Sequence, residues 1–195
     1  MNTYDFDKTI YINDSSADFF FFCLSRHPGA ILRVLPSLSV KGIKYFFNRC
    51  NFHELKECTF SFLKYIPDIT ETVDLFWKEK WNGIGQWYLK QRRDDDVIIS
   101  ASPEFIVAPV GKKLGVEVIA TRMNRKTGKL LGRNCHDKEK VRRFLEKHPG
   151  QKTEAFYSDS DNDTPMARFA EKAFKVERGK IKPWKFSKDS KKKTL

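Results

Sequence analysis

The stretch Thr3-Tyr4-Asp5-Phe6-Asp7-Lys8-Thr9 decides how the rest of the chain is read, because it runs a short strand-like segment straight into two acids and a hydroxyl. Successive strand residues point to opposite faces, so Asp5 and Asp7 share a side. In open α/β sheets, a loop at the carboxyl end of a parallel strand is where ligands are bound. Taken alone, the pattern is equally well a pair of acids in a turn.

Moving outward, short apolar runs recur at Val97 to Ile99, Val116 to Ala120, Ala155 to Tyr157 and Phe174 to Val176, mostly bounded by polar residues or glycine. Buried parallel strands have this appearance. Helical segments separate several of them: Pro103 to Leu114, and Asp137 to Lys147, with Val141, Phe144 and Leu145 on one face. The alternation predicts an α/β fold, a doubly wound Rossmann-like parallel sheet. Between Asp14 and about Arg93 the pattern changes to aromatic-rich helical periodicity (Phe52, Leu55, Cys58, Phe62, then Val73, Phe76, Trp77) with no convincing strand. The expected division is a sheet core from residues 1–14 and 94–180, a helical insertion over 15–93 after the first strand, and a basic tail over 181–195. A short hairpin is expected from Met123 to Leu131, turning near Lys126-Thr127-Gly128.

Composition narrows the class. A chain of 195 residues, 40% hydrophobic, can bury a real core. The start shows neither the basic and apolar regions nor the cleavage site of an export signal. The most apolar stretch, Ala17 to Leu38, is broken by Arg26, His27, Pro28, Gly29 and Arg33, so no transmembrane segment is expected. Cys23, Cys50, Cys58 and Cys135 are scattered and form no CxxC pair, which fits a reducing cytoplasm. The net charge of +12 is uneven: from Lys175 onward nine lysines and arginines face two acids. Such a tail suits weak contact with an anionic surface, but the default is a solvated tail with no obligate nucleic-acid partner.

Three further pieces carry chemistry. Ser100 follows Val97-Ile98-Ile99 and precedes a helix expected to open at Pro103; a hydroxyl and free NH groups at such a turn suit a phosphate. Serines there are more often helix caps, a role expected here of Ser102. Lys140 lies near the start of a helix, where the macrodipole disfavours a cation unless an anion is close. Lys138 competes with it, but Lys140 directly precedes the apolar Val141. Finally, Asp159-Ser160-Asp161-Asn162-Asp163 is an acidic loop between a strand and a helix, and hard cations take carboxylate oxygens. The glycine and terminal glutamate of a calcium-binding EF-hand are missing.

Taken in order, Asp5-x-Asp7-x-Thr9, Ser100, Lys140 and Asp159-Ser160-x-Asn162-Asp163 resemble the phosphoserine-phosphatase-like branch of the haloacid dehalogenase superfamily. The resemblance covers nearly all of the chain up to about residue 180, and the insertion sits where such enzymes carry a cap. It implies that Asp5 is the nucleophile and Asp7 the general acid and base. Mg2+ would be held by the side chains of Asp5 and Asp159 and the backbone carbonyl of Asp7, with Asp163 positioning it. Ser100 and Lys140 would bind the phosphoryl oxygens, and Thr9 would orient the loop. The implied substrate is a small phosphomonoester.

Phosphoserine is one candidate only, because Ala101-Ser102 stands where true phosphoserine phosphatases carry Gly-Gly, and Asp14 stands in place of their substrate-binding glutamate. Ser158 likewise replaces a glycine. Asp14 and Asn162 remain candidate substrate contacts. In the insertion, Lys44, Arg49, Lys56 and Lys64 are candidates for an anionic substrate group, with solvated helix faces as the default. Phe46, Phe47, Phe60, Phe62, Trp77, Trp81 and Trp87 are expected to form the core of the insertion; a lipid phosphate enters consideration if some prove exposed. Two competing classes are a basic module for RNA or anionic membrane on a degenerate hydrolase fold, and a zinc or cysteine enzyme using Cys50, His53 and Cys58, whose spacing fits no common zinc site.

Overall fold

The computed structural model describes residues 1–186, so the last part of the expected basic tail lies outside the described residues. Strand β1 is short, Thr3–Tyr4, and is followed by five helices: α1 (Ser15–Arg26), α2 (Pro28–Phe46), α3 (Phe52–Phe60), α4 (Ile69–Lys80) and α5 (Gln86–Gln91). The chain then alternates through β2 (Val97–Pro103), α6 (Glu104–Leu114), β3 (Glu117–Thr121), α7 (Lys138–Lys147), β4 (Ala155–Ser158), α8 (Thr164–Phe169), β5 (Lys172–Glu177) and β6 (Lys180–Pro183).

These strands form one six-stranded sheet in the order β3-β2-β1-β4-β5-β6. The first five are parallel and β6 pairs antiparallel with β5. The chain winds outward from β1 through β2 and β3, then returns to β4 on the other side of β1. The crevice beyond the carboxyl ends of β1 and β4 is therefore a topological switch point, where such sheets bind ligands.

Alternation along the strands sorts side chains into two apolar layers. Val97 and Ile99 face one cluster with Phe144 of α7, Phe156 of β4 and Met166 of α8. Ile98 faces the other, with Tyr4, Phe6 and α6. That second cluster continues without a break into the helical insertion through Phe19, Phe62, Phe76 and Trp77. The rings pack edge to face, as Phe19 against Phe76 and Phe6 against Trp77. The insertion thus shares a core with one face of the sheet.

Several expectations change. Ser100 and Pro103 both lie within β2, and α6 opens at Glu104 with Pro103 as its uncapped N-cap, so Ser102 is not a helix cap. The pairing register slips between Ser100 and Pro103, a bulge that pushes Ala101 and Ser102 out of the ladder. Bulges of this kind re-aim side chains beside active sites. Strand β6 crosses the expected start of the tail at 181, because Ile181 and Lys182 pair with Val176 and Lys175. Of the rings expected in the core of the insertion, Phe60, Phe62 and Trp77 are buried and Trp81 and Trp87 partly so. Phe46 and Phe47, in contrast, are 80% and 64% exposed. The expected hairpin at Met123 is present in short form: Met123 bridges Leu130 antiparallel, and backbone hydrogen bonds from Leu131 to Arg122 and from Asn124 to Lys129 flank a turn at Thr127 and Gly128.

Phe156 is fully buried between α7, α8 and Trp184. Phe156→Ala is expected to cost about 3–5 kcal/mol in denaturant unfolding; a loss below about 1 kcal/mol would contradict this packing.

Candidate active site

Asp5 leaves the end of β1 with its backbone NH donating to Tyr157 of β4 at 2.8 Å, which sets the β1 and β4 loops side by side. The turn that follows places Lys8 in the left-handed region at φ 55°, and Thr9 and Tyr11 both donate from their backbone NH groups to the Phe6 carbonyl. Thr9 then accepts from the Asp159 backbone NH at 3.0 Å. This fastens the two acidic loops to each other.

Lys140 lies in the first turn of α7, one of the most buried charges in the protein at 2% exposure. Its ammonium donates to Asp5 at 2.6 Å and to Asp163 at 2.8 Å. Asp163 also accepts from the Ser158 hydroxyl at 2.7 Å. A cation at a helix N-terminus is unfavourable by itself, and the two carboxylates supply what holds it there. Burial lowers the Lys140 pKa, but attraction to Asp5 and Asp163 outweighs this and leaves it raised. Burial pushes the Asp5 carboxyl up to about 8; Lys140 pulls against this while Asp163 and Asp7 reinforce it. The competing Lys138 is exposed.

Asp7 is held apart from this triad. One oxygen accepts from the Ser15 backbone NH at 2.7 Å and the other from the Ser102 hydroxyl at 2.5 Å. Ser102 in turn meets the hydroxyls of Ser15 and Ser16. Burial raises the Asp7 pKa against these hydrogen bonds. Ser100 is fully buried and accepts from the Ser102 backbone NH, so it braces the bulge.

Asp159 is partly buried beside Lys8 and Lys175, and its pKa is raised chiefly by burial. Its loop is pinned by Lys175, which donates to the Asp159 carbonyl and pairs with Asp161. Asp14 caps α1 by accepting from the Ala17 NH. Asn162 is exposed and lines neither of the clefts described below, so the structure does not place this expected substrate contact in the site.

The largest departure is Lys56. Expected on a solvated helix face, it is buried, and its ammonium donates to the Ala101 carbonyl at 2.6 Å and to Asn134 at 2.7 Å. Burial pushes its pKa down to about 8, resisted by attraction to Asp7 and Asp14. The signal was present in the spacing Phe52, Lys56, Phe60, which puts the lysine on an aromatic face of α3. The insertion therefore reaches the bulge directly.

Two clefts open here. One, of about 420 Å³, lies between α1, α2 and α3 and ends at Asp7, Ser102 and Lys56. The other, a broad groove of about 1200 Å³, passes Lys8, Asp159 and Trp87 toward the β5–β6 turn at Arg178. Asp14 borders both. Among the described residues no three His, Cys, Asp or Glu side chains converge into a metal cluster. Mg2+ does not require one, since it takes one or two carboxylates and completes its shell with other oxygens. Asp5 and Asp159 on adjacent loops are oxygen donors of the kind that set requires, and burial raises the pKa of both.

A mostly parallel α/β sheet carries acids at its switch point with a buried lysine between Asp5 and Asp163, where such sheets bind ligands. The chain belongs to the haloacid dehalogenase-like hydrolase family, whose model matches residues 3–168. It is 33% identical over 201 residues to protein CicA of Caulobacter vibrioides, a match covering 91% of this chain and 86% of that protein. In fold it is similar to a protein of unknown function from Bordetella pertussis Tohama I, with a TM-score of 0.72, 21% identity, and coverage of 89% of this chain and 87% of the other. A substrate-bound phosphoserine phosphatase shares the fold at a TM-score of 0.59 and 17% identity, covering 89% and 84%.

Lys140→Met would leave Asp5 and Asp163 facing each other without a cation. In EDTA it is expected to cost about 3–5 kcal/mol in urea unfolding, and a cost under about 1 kcal/mol would show that the triad does not hold the loops together.

Proposed function

We propose that the protein is a magnesium-dependent phosphomonoester hydrolase that works through an aspartyl-phosphate on Asp5. The observation that carries this is the separation of the two acids: Asp5 is gripped by Lys140, while Asp7, two residues on, is held by its own hydroxyl and amide donors. Family membership and the fold shared with phosphoserine phosphatases support the same reading.

In this scheme a carboxylate oxygen of Asp5 attacks phosphorus and the bond to the leaving oxygen breaks. Asp7 donates the proton that the leaving alkoxide needs, and burial raises its pKa in the direction that suits an acid. Deprotonated Asp7 then takes a proton from the water that cleaves the aspartyl-phosphate. Lys140 neutralises charge on the phosphoryl oxygens as it passes from ion pair to substrate contact. Ser100 contributes by holding the bulge, and through it Ser102 and Asp7. Mg2+, held by Asp5, Asp159 and the Asp7 carbonyl, would supply the positive charge that lets a phosphate dianion approach the acids. Helices α1 to α5 act as the cap, with Lys56, Ser15 and Ser16 as its contacts to the reacting end. The four free cysteines accord with a reducing, cytoplasmic setting.

Asp5→Asn is expected to lower magnesium-dependent phosphate release from p-nitrophenyl phosphate at least about a thousandfold. Asp7→Asn should behave differently on this substrate, whose leaving group needs little protonation: phosphorylation persists, hydrolysis stalls, and acid-stable phosphoenzyme accumulates. Both are read by phosphate release and by intact mass. Unchanged turnover in Asp5→Asn would contradict the proposal.

A further inference from the structure

Among the described residues, nothing covers the outer face of α2. Leu32, Leu35, Val40, Ile43 and Phe46 recur at helical spacing along one stripe, with Phe47 just beyond the helix, and all are exposed, Ile43 at 60% and Phe46 at 80%. The buried residues of the helix, Ala30, Ile31 and Val34, lie on the opposite side. An apolar stripe of this length is not left in water without a use.

Its charge setting identifies the use. No acid occurs between Asp18 and Glu54, while Arg26, Arg33, Lys41, Lys44 and Arg49 fall in that interval. Arg26 and Lys41 pair with Glu79 and Glu54, but among the described residues no ion pair engages Arg33, Lys44 or Arg49. An amphipathic helix with an apolar stripe and flanking cations matches an anionic lipid surface, where it lies in the interface plane.

The stripe also leads to the reacting end. Tyr45, near the end of α2, lies 6.3 Å centroid to centroid from Phe52. Phe52, with Phe21 and Leu38, forms the mouth of the smaller cleft, whose walls are mainly apolar and whose floor is Asp7 and Ser102. Since Asp7 is the acid that protonates the leaving group, the leaving group must occupy this cleft and not the broad groove beside Asp159. The apolar side of the cleft, Phe20, Phe21, Leu38, Phe52 and Leu55, offers contact to an acyl chain entering from a bilayer, while Asp14, Ser16, Lys56 and Asn134 are left to the polar headgroup.

The geometry points to a lipid phosphomonoester as substrate, taken from an anionic bilayer on which the exposed face of α2 docks. This rests on the phosphatase reading and names its substrate class. The phosphorus–oxygen bond of the lipid breaks as phosphorus bonds to Asp5, the lipid alkoxide takes the Asp7 proton and stays in the membrane as an alcohol, and water releases inorganic phosphate.

The test uses the full chain with phosphatidylcholine vesicles, with and without phosphatidylglycerol, and phosphatidic acid as substrate. The protein should co-sediment with the anionic vesicles and prefer vesicle-borne phosphatidic acid to glycerol 3-phosphate. The triple variant Ile43→Glu, Phe46→Glu, Phe47→Glu, all at exposed positions, should lose vesicle binding on the order of tenfold or more while its turnover of p-nitrophenyl phosphate stays unchanged. Wild-type turnover of p-nitrophenyl phosphate without vesicle binding or preference for phosphatidic acid would overturn the inference and leave the phosphatase reading intact. A dimer that the triple variant dissociates, with no vesicle binding, would assign the face to a second copy and also overturn it. No turnover of any phosphomonoester would remove the phosphatase reading and the lipid substrate with it, and co-sedimentation would still decide the docking surface.

Discussion

The ammonium of Lys140 between Asp5 and Asp163 is the interaction on which the rest of the site depends. It joins the end of the central strand, the loop after β4 and the first turn of α7, which are far apart in sequence. Burying a charge at this depth is costly unless it is paired and its hydrogen bonds are met. The loops therefore cannot drift apart without stranding a lysine in the interior. The same triad gives the two acids different surroundings, because it occupies Asp5 and leaves Asp7 to its own donors.

One of those donors, the Ser102 hydroxyl, comes from the bulge in β2. An ideal strand would keep Ser102 on its ladder; the slip after Ser100 turns it to Asp7 and exposes the Ala101 carbonyl to Lys56 and Thr121. Ser15 and Ser16 at the start of α1 close the arrangement from the other side. Because the insertion shares one apolar cluster with the sheet and touches the bulge through Lys56, any opening of these helices must break the Lys56 contacts with Ala101 and Asn134. Moving these helices would also move the Ser15 and Ser16 groups that hold Asp7 and Ser102.

The sheet was legible because buried parallel strands leave short apolar runs between helices, and the order of Asp5, Ser100, Lys140 and Asp159 led to the family. What escaped has physical causes. Strand β6 is an edge strand of Lys180, Ile181, Lys182 and Pro183 and carries no apolar run to announce it. A bulge has no composition signature, so Ser102 passed for a cap. Phe46 and Phe47 read as core because sequence shows hydrophobicity and not what is packed against it. Lys56 read as surface because a charge is ordinarily solvated, although its spacing from Phe52 and Phe60 pointed inward. Asn162 came with its motif, but its own position is solvent.

The central claim is that Asp5 accepts the phosphoryl group while Lys140 balances it. Soaking the protein with beryllofluoride and Mg2+, a mimic of an acyl-phosphate, and determining the structure tests this most directly. The account predicts beryllium bonded to a carboxylate oxygen of Asp5, with the Lys140 ammonium moved onto a fluoride. An adduct on Asp7, Asp159 or any other residue would contradict it.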